Sequence, residues 1–448
     1  MFRYILMIMI YAVSADVLPS KSTAIDPVEA VLKKAGVKKN NASVVFYDIN
    51  NKKIKYALNE NKFFSIASVN KLFVTGAALK YLGQGFRFKT SVIGTLPDAN
   101  GTVKGNIYIK GGGDPVFVSE SMWYLVNRLV DLGIKKIDGD IILDDTAFPA
   151  STVYEESNDR AYSSQISSLS VNFNSIALSI TAGKQPNVTL DPAVSGINFV
   201  NKTKYTNKET DVQMKRTDSD IMATGNINNS EYLNKFIYRN VDDTVRYFSD
   251  VLKLHLQWRG VMFSGSIKRG EAPKNQLALF DMESRRLSDI LMEMNKFSNN
   301  FIAEQLLRAM APADKAVGMV KDYLVGIGLD KSSFEITDAS GFSRTNRIQP
   351  IAMVKFLDHM YGDFETGPEF INSLSISGVD GTIRRSLKSK TLTGRVRAKT
   401  GTLDGIRSLA GYLKADNTVY AFIIVANDVN AHKLLDWEGK ILDNFVSN

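Results

Sequence analysis

Three short patterns in this chain place hydroxyl, amide or lysine side chains at spacings that can do chemistry. Serine is followed by lysine three positions later once, at Ser68-Val69-Asn70-Lys71. Ser68 falls where an irregular segment enters a helical stretch, so its hydroxyl can be exposed, and Lys71 lies one turn on along the same face. A neutral Lys71, its pKa lowered by burial or a neighbouring cation, could take the hydroxyl proton, while the helix N-terminus offers N–H groups to an oxyanion. By itself the tetrapeptide is more simply a serine N-cap followed by a solvated lysine. Lys399-Thr400-Gly401, the one K-T-G, ends a predicted strand. A cation and a hydroxyl there can bind a carboxylate, and Gly401 leaves room for an extended peptide to pair along the strand edge. Alone, it is a strand running into a turn. Serine with asparagine two positions on occurs three times: inside the first pattern, at Ser170-Val171-Asn172, and at Ser298-Asn299-Asn300. Only the last has helical runs on both sides. Ser298 could relay a proton and Asn300 could orient Lys71 and a substrate amide. Ser170-Val171-Asn172 reads as strand polarity, with Asn172 retained as a substrate-site candidate.

Composition narrows the chemistry further. There is no cysteine, which removes disulfides, thiolate metal clusters and cysteine nucleophiles. The three histidines, His255, His359 and His432, share no i, i+4 or H-x-H spacing, so a zinc site or a Ser-His-Asp triad would need isolated parts. A serine–lysine mechanism needs no metal or organic cofactor. At 448 residues, 44% hydrophobic and 23% charged, the chain has globular composition and length for two to four folding units.

The N-terminus reads as a signal peptide over 1–15: a positive start at Arg3, an apolar run from Tyr4 to Ala12, and Val13-Ser14-Ala15 as a small-residue cleavage pattern. Export is therefore expected. Removing those residues takes one arginine and no acid, so the net charge of +8 becomes +7. The excess is spread over loops such as Lys38-Lys39 and Lys52-Lys53, a basic soluble surface rather than a nucleic-acid stripe. No second apolar stretch reaches membrane-spanning length, so no membrane span is expected in the mature chain.

The elements that must position these patterns come from both ends of the chain. A helix over Pro27–Ala35, strands over Ala42–Ile49 and Ile54–Leu58, and a helical stretch over Val69–Leu82 are predicted, the last with Leu72, Ala78 and Leu79 for an apolar face. In the C-terminal third, strands are expected over Arg395–Lys399, Ser408–Lys414 and Val419–Ala426, with a tail helix through Leu434, Leu435, Ile441, Leu442 and Phe445 covering a sheet. Two helical runs meet near Asn299. The middle, 86–282, is rich in Thr, Asn, Ser and short β-branched segments, with turns at Gly111-Gly112-Gly113-Asp114 and Asn226-Ile227-Asn228-Asn229. One helix-plus-strand unit, Ser121–Leu132 then Lys136–Leu143, sits in it, and Trp258 falls in a predicted strand. The class is mixed α/β, with a mostly β inserted region.

S-x-x-K, S-x-N and K-T-G together, in that order, on helix, inter-helix bend and strand, match the signature of penicillin-binding proteins and class A β-lactamases. The sequence resembles the class C low-molecular-mass penicillin-binding proteins, the D-alanyl-D-alanine carboxypeptidase/endopeptidase family of the penicillin-binding protein 4 type. Further segments carry the resemblance: Gly105-Asn106-Ile107-Tyr108 leading to Gly112-Gly113-Asp114-Pro115, Ile141–Asp145, Asp338-Ala339-Ser340-Gly341-Phe342-Ser343-Arg344, Gly378–Thr382, and Ala398 through Gly411. The resemblance covers nearly all of the mature chain. It implies a penicillin-recognising serine transpeptidase/β-lactamase-like core, an antiparallel sheet flanked by helices, in segments 23–85 and 283–448. Two nested domains would fill 86–282, the inner over about 105–168.

The resemblance also implies residue roles. Ser68 would be the acylated nucleophile and Lys71 its base; Ser298 and Asn300 form the second element, Lys399, Thr400 and Gly401 the third. The oxyanion hole would be the N–H groups of Ser68 and Thr402, with the Thr400 and Thr402 hydroxyls near the substrate carboxylate. The middle residue of the second element is Asn299 where the signature has Asp. Where several relatives hold a diaminopimelate ammonium with an Asp, this chain has Asn172, and Arg384 or Arg385 would approach the same pocket. The implied substrates are peptidoglycan stem peptides, with β-lactams as inhibitors and a Gram-negative periplasm as location. A β-lactamase would need a deacylating Glu in an E-x-x-L-N segment, which is absent; a catalytically silent cell-wall binding protein would not need Ser68, Lys71 and Lys399 intact.

Overall fold

The computed structural model describes residues 26–447 apart from 149, 152–158, 218–219, 231–232, 432–433 and 435. The expected signal peptide lies outside the described residues. Strands from the two ends of the chain join in one six-stranded antiparallel sheet, in the order Lys53–Leu58, Ala42–Asp48, Thr418–Asn427, Ile406–Ala415, Val396–Leu403, Ser375–Ile376. Its central strands read as continuous apolar runs because both faces are covered. Ala421, Ile423 and Val425 belong to one core, with Leu72, Phe73, Ile302 and Phe356 from the helices on that side, whereas Phe422, Ile424 and Ala426 pack with Leu32, Trp437 and Ile441 of the two terminal helices.

The helix Lys71–Leu82 passes through the first core and is buried through Leu79 on all sides, so the expected single apolar face is instead a whole buried helix. The second helical pair, Leu287–Phe297 and Asn300–Met310, breaks at Ser298 and Asn299, as the sequence predicts. The tail helix runs over Trp437–Ser447.

The region between the two core segments holds a third hydrophobic core. A five-stranded sheet, Ile267–Arg269, Ile141–Asp144, Ile107–Lys110, Lys89–Ile93 and Ala278–Glu283, lies beside a three-stranded one of Met262–Phe263, Lys136–Asp138 and Thr102–Lys104. Strands of the expected inner segment 105–168 thus pair with strands near 262–269. Parallel pairing joins these distant segments of chain. Among the described residues the strands over 175–240 form two three-stranded sheets, with a bridge from Arg239 back to Arg160. Two further expectations are corrected. Asn226–Asn228 continue a strand, Asp220–Asn228, rather than a turn, since each asparagine there pairs across to a neighbouring strand. Trp258 closes the helix Thr244–Trp258 and is exposed, with its ring against His255, rather than packed in a strand.

Candidate active site

Ser68 lies in a short turn, Ala67–Asn70, that feeds the buried helix. Ala67 holds a left-handed φ of 47°, a conformation costly for a residue with a Cβ and typical of backbone held at a functional turn. The next residues enter the core, so the Lys71 stem is buried and its ammonium nitrogen has three outlets: Ser68 Oγ at 2.8 Å, Asn300 Oδ1 at 2.7 Å and the Ser340 carbonyl at 2.7 Å. Burial pulls its pKa down to about 7, against the opposing pull of the Glu304 and Asp338 carboxyls.

The second element is set by the helix break. Ser298 caps the helix Leu287–Phe297 in the left-handed region, φ 59°, which turns its hydroxyl toward the sheet. Asn299 caps the next helix by accepting from the Ile302 N–H, a role that Asp fills as well, so the departure from Ser-Asp-Asn leaves the turn intact. Lys399 on the strand Val396–Leu403 is fully buried and donates to Ser298 Oγ at 2.7 Å and to the Thr400 carbonyl at 2.6 Å. Burial, then the nearby Lys71, hold it well below the usual lysine range. The structure thus couples Ser68 with Lys71 and Ser298 with Lys399, with Asn300 on the first lysine.

Gly401 has a different reason from the expected one. A Cβ there would stand 2.3 Å from Ser408 Oγ, 2.4 Å from the Ile66 carbonyl and 3.1 Å from Ser68 N, so the glycine lets this strand close on the nucleophile turn. The strand's outer edge is paired only near its start. There Ser375–Ile376 pairs only with Ala398 and Arg397, so among the described residues Lys399–Leu403 meet no strand on that edge. The Thr400 hydroxyl donates to that of Thr382, and Thr402 is exposed on the same edge-strand segment.

Four contributors were missed as site residues. Asp338 gathers the N–H groups of Gly341, Phe342 and Ser343 at 2.6, 3.2 and 2.7 Å, folding the segment into a tight turn that aims the Ser340 carbonyl at Lys71. Buried Glu304 accepts from Ser340 N at 2.8 Å, and burial, then Asp338, push its carboxyl up. Asn70, one residue before Lys71, donates to the Asp338 carbonyl at 2.8 Å. Gly341 completes the fit, since its Cβ would sit 2.0 Å from the Ala67 carbonyl. An Asp followed by Ser and Gly is a readable turn signal, but nothing in spacing says what the turn faces.

A cleft of about 1230 Å³ opens from Ser298, Asn299 and Asn300 and runs between the core and the inserted region, past Asp114, Tyr162 and Tyr238. Among the described residues no group of three or more His, Cys, Asp or Glu is placed to hold a metal ion, and no helix is long and apolar enough to cross a membrane.

Residues 24–445 match the model of the D-Ala-D-Ala carboxypeptidase 3 (S13) family. The chain belongs to that family. As an S13 member it is a serine D-Ala-D-Ala carboxypeptidase. It is 28% identical to D-alanyl-D-alanine carboxypeptidase DacB of Haemophilus influenzae, over 90% of this chain and 88% of that one, and 27% identical to the D-alanyl-D-alanine carboxypeptidase of an Actinomadura species, over 90% and 80%. The crystal structure of penicillin-binding protein 4 from Haemophilus influenzae superposes with a TM-score of 0.78 at 24% identity, covering 94% of this chain and 99% of that one. The same protein complexed with a novel β-lactam gives 0.72 at 25% identity, covering 91% and 96%.

Two site expectations stand apart from the Ser68–Lys399 cluster of this S13 carboxypeptidase. Asn172 lines the cleft, but its amide is engaged by the protein: Oδ1 accepts from Ser119 N at 2.8 Å, and Nδ2 donates to Ser119 Oγ at 2.9 Å and Tyr247 Oη at 3.4 Å. Three successive left-handed residues, Asn172, Phe173 and Asn174, build its turn. Arg384 is exposed at the end of the short turn Gly381–Ile383 and does not line the cleft.

Proposed function

We propose that this S13 carboxypeptidase is an exported serine DD-peptidase that cleaves peptidoglycan stem peptides through an acyl-enzyme on Ser68. The observation that carries the reading is the fully buried Lys71, drawn to about 7, with its nitrogen 2.8 Å from Ser68 Oγ. Neutral Lys71 takes the Ser68 proton as the oxygen attacks the carbonyl between two D-alanines. The oxyanion goes to the backbone N–H groups of Ser68 and Thr402. The C–N bond breaks, the departing amine of D-alanine takes a proton from the lysine–serine network, and water hydrolyses the ester on Ser68. Lys399 and the Thr400 hydroxyl bind the terminal carboxylate. The proton path expected through Ser298 runs in this arrangement by way of Lys399, its hydrogen-bond partner.

β-Lactams present the same carbonyl and would acylate Ser68. The β-lactam complex of the Haemophilus influenzae protein supports that extension. Export rests on the N-terminal pattern of the sequence, and a Gram-negative periplasm on the family resemblance alone. The side chain of the stem peptide's third residue would enter the cleft beside Asn172, and the same open end could take a second stem peptide in endopeptidase work. The test is to label purified protein with fluorescent penicillin, map the modified peptide, and follow D-alanine release from a muropeptide pentapeptide. Label on Ser68 with D-alanine release is expected, and both are lost in Ser68→Ala; retention of either in that variant removes Ser68 from the role.

A further inference from the structure

The three-stranded sheet Asn187–Asp191, Ser175–Thr181, Asn234–Asn240 turns one face into the third core, with Ile176, Leu178, Ile180, Val188 and Leu190 buried there. Its other face is built as a trough. The central strand contributes small residues, Ala177, Ser179 and Thr181, as floor. One wall, the edge strand, carries Tyr238 opposite Ala177 and Phe236 opposite Ser179; Phe236 and Tyr238 are 43% and 53% exposed, and their rings stack with centroids 6.3 Å apart and planes 28° apart. The other wall is polar, with Asp191 opposite Ala177, Thr189 opposite Ser179 and Asn187 opposite Thr181, all exposed. Two strand spacings, roughly 10 Å, separate the walls.

An aromatic wall facing hydroxyl, amide and carboxylate groups across a small-residue floor is chemistry for a ring with an apolar C–H face and a hydroxyl-bearing edge. The one charged group among these residues is the Asp191 carboxylate, which suits an uncharged ligand better than an anionic polymer. The trough is also continuous with the active-site cleft: Ala177, Asp191 and Tyr238, its first rung, line the same cavity as Ser298 and Asn300. Phe236 stands one rung farther out.

We propose that this face is a glycan subsite, binding a neutral N-acetylated hexosamine chain while the peptide attached to that chain occupies the cleft. The inference rests on the proposed peptidase reading for the peptide, but on the trough alone for the sugar. Phe236 and Tyr238 stack against pyranose faces, and the Asp191–Thr189–Asn187 edge accepts from or donates to ring hydroxyls and acetamido groups.

The test compares kcat/KM for a free pentapeptide and for the same pentapeptide on an N-acetylglucosaminyl-N-acetylmuramyl disaccharide. The native protein is expected to prefer the disaccharide form about tenfold, through KM, and Phe236→Ala to bring that preference close to one. Trp258→Ala, an exposed aromatic on a separate helix, is the control and should retain the preference. A native protein indifferent to the disaccharide, or a Phe236→Ala variant that keeps the preference, overturns the proposal. If neither substrate is cleaved, the peptidase reading fails, and the trough is judged by calorimetric titration with a peptide-free N-acetylglucosamine tetrasaccharide: saturable binding lost in Phe236→Ala sustains it and absence of binding overturns it. Self-association through the same face, seen as a concentration-dependent mass abolished by Phe236→Ala, would also count against the sugar.

Discussion

At the scale of single residues, the site turns on two lysines that cannot both keep a proton easily. Each is fully buried, each is pulled down by desolvation, and Lys399 is lowered further by Lys71. Below about pH 7 Lys71 holds its proton and cannot accept that of Ser68; above it, Lys71 is neutral and competent. The acylation rate by fluorescent penicillin should therefore rise with pH through about 7. A rate unchanged between pH 5 and pH 9 would remove Lys71 as the base. Gly401 offers a second check. Its added Cβ would meet Ser408 Oγ at 2.3 Å and the Ile66 carbonyl at 2.4 Å, so Gly401→Ala should cost about 1–3 kcal/mol of stability. It should also slow acylation by about a hundredfold by moving the strand off Ser68. Full activity in this variant would mean that the strand can shift at no functional cost.

At the scale of elements, the strand that carries Lys399 is braced from behind. Its neighbour, Ile406–Ala415, bears Arg407 opposite Thr402, and the Arg407 guanidinium donates to Glu438 of the tail helix at 2.6 Å with both side chains almost fully enclosed. Glu438→Ala would leave that guanidinium buried without its carboxylate, and a loss of about 3–5 kcal/mol is expected in denaturant unfolding. Glu438→Gln, which keeps an acceptor, should lose less; equal losses would argue for packing rather than charge. The prediction of a tail helix came from its 3.6-residue apolar spacing, but the ion pair under it was not legible, because thirty residues separate its partners and neither stands in a pattern.

At the scale of the whole molecule, the inserted region reaches back to the reaction centre. The Tyr162 carbonyl accepts from Asn300 Nδ2 at 3.5 Å and the Tyr162 ring lies 5.5 Å from that of Phe342. Asn172, on the same wall, is neutral and held by Ser119 and Tyr247. The two hydroxyls can rotate to donate to a carboxylate, so Asn172→Asp should fold. It should raise kcat/KM for a stem peptide with a third-residue ammonium about tenfold relative to one with a neutral side chain. An unchanged ratio would show that the third-residue side chain does not reach this wall.

Local patterns determined what local forces control. Helix and strand positions at both ends of the chain followed from apolar periodicity, and Ser68–Lys71, Ser298–Asn300 and Lys399–Gly401 were readable because each is held within one turn or one strand end. Tertiary structure decided how these groups are partnered. Lys71 meets Asn300 and Ser340, Ser298 meets Lys399, and Asp338 and Glu304 stiffen the turn between them, contacts spanning roughly 100 to 270 residues of chain. It also decided which strands of the inserted region pair, and that Gly401 faces the nucleophile turn rather than the peptide. Desolvation supplies the physical reason: a lysine becomes a base only where the fold removes water from it, and burial at a point where distant segments converge has no signature in the spacing of nearby residues.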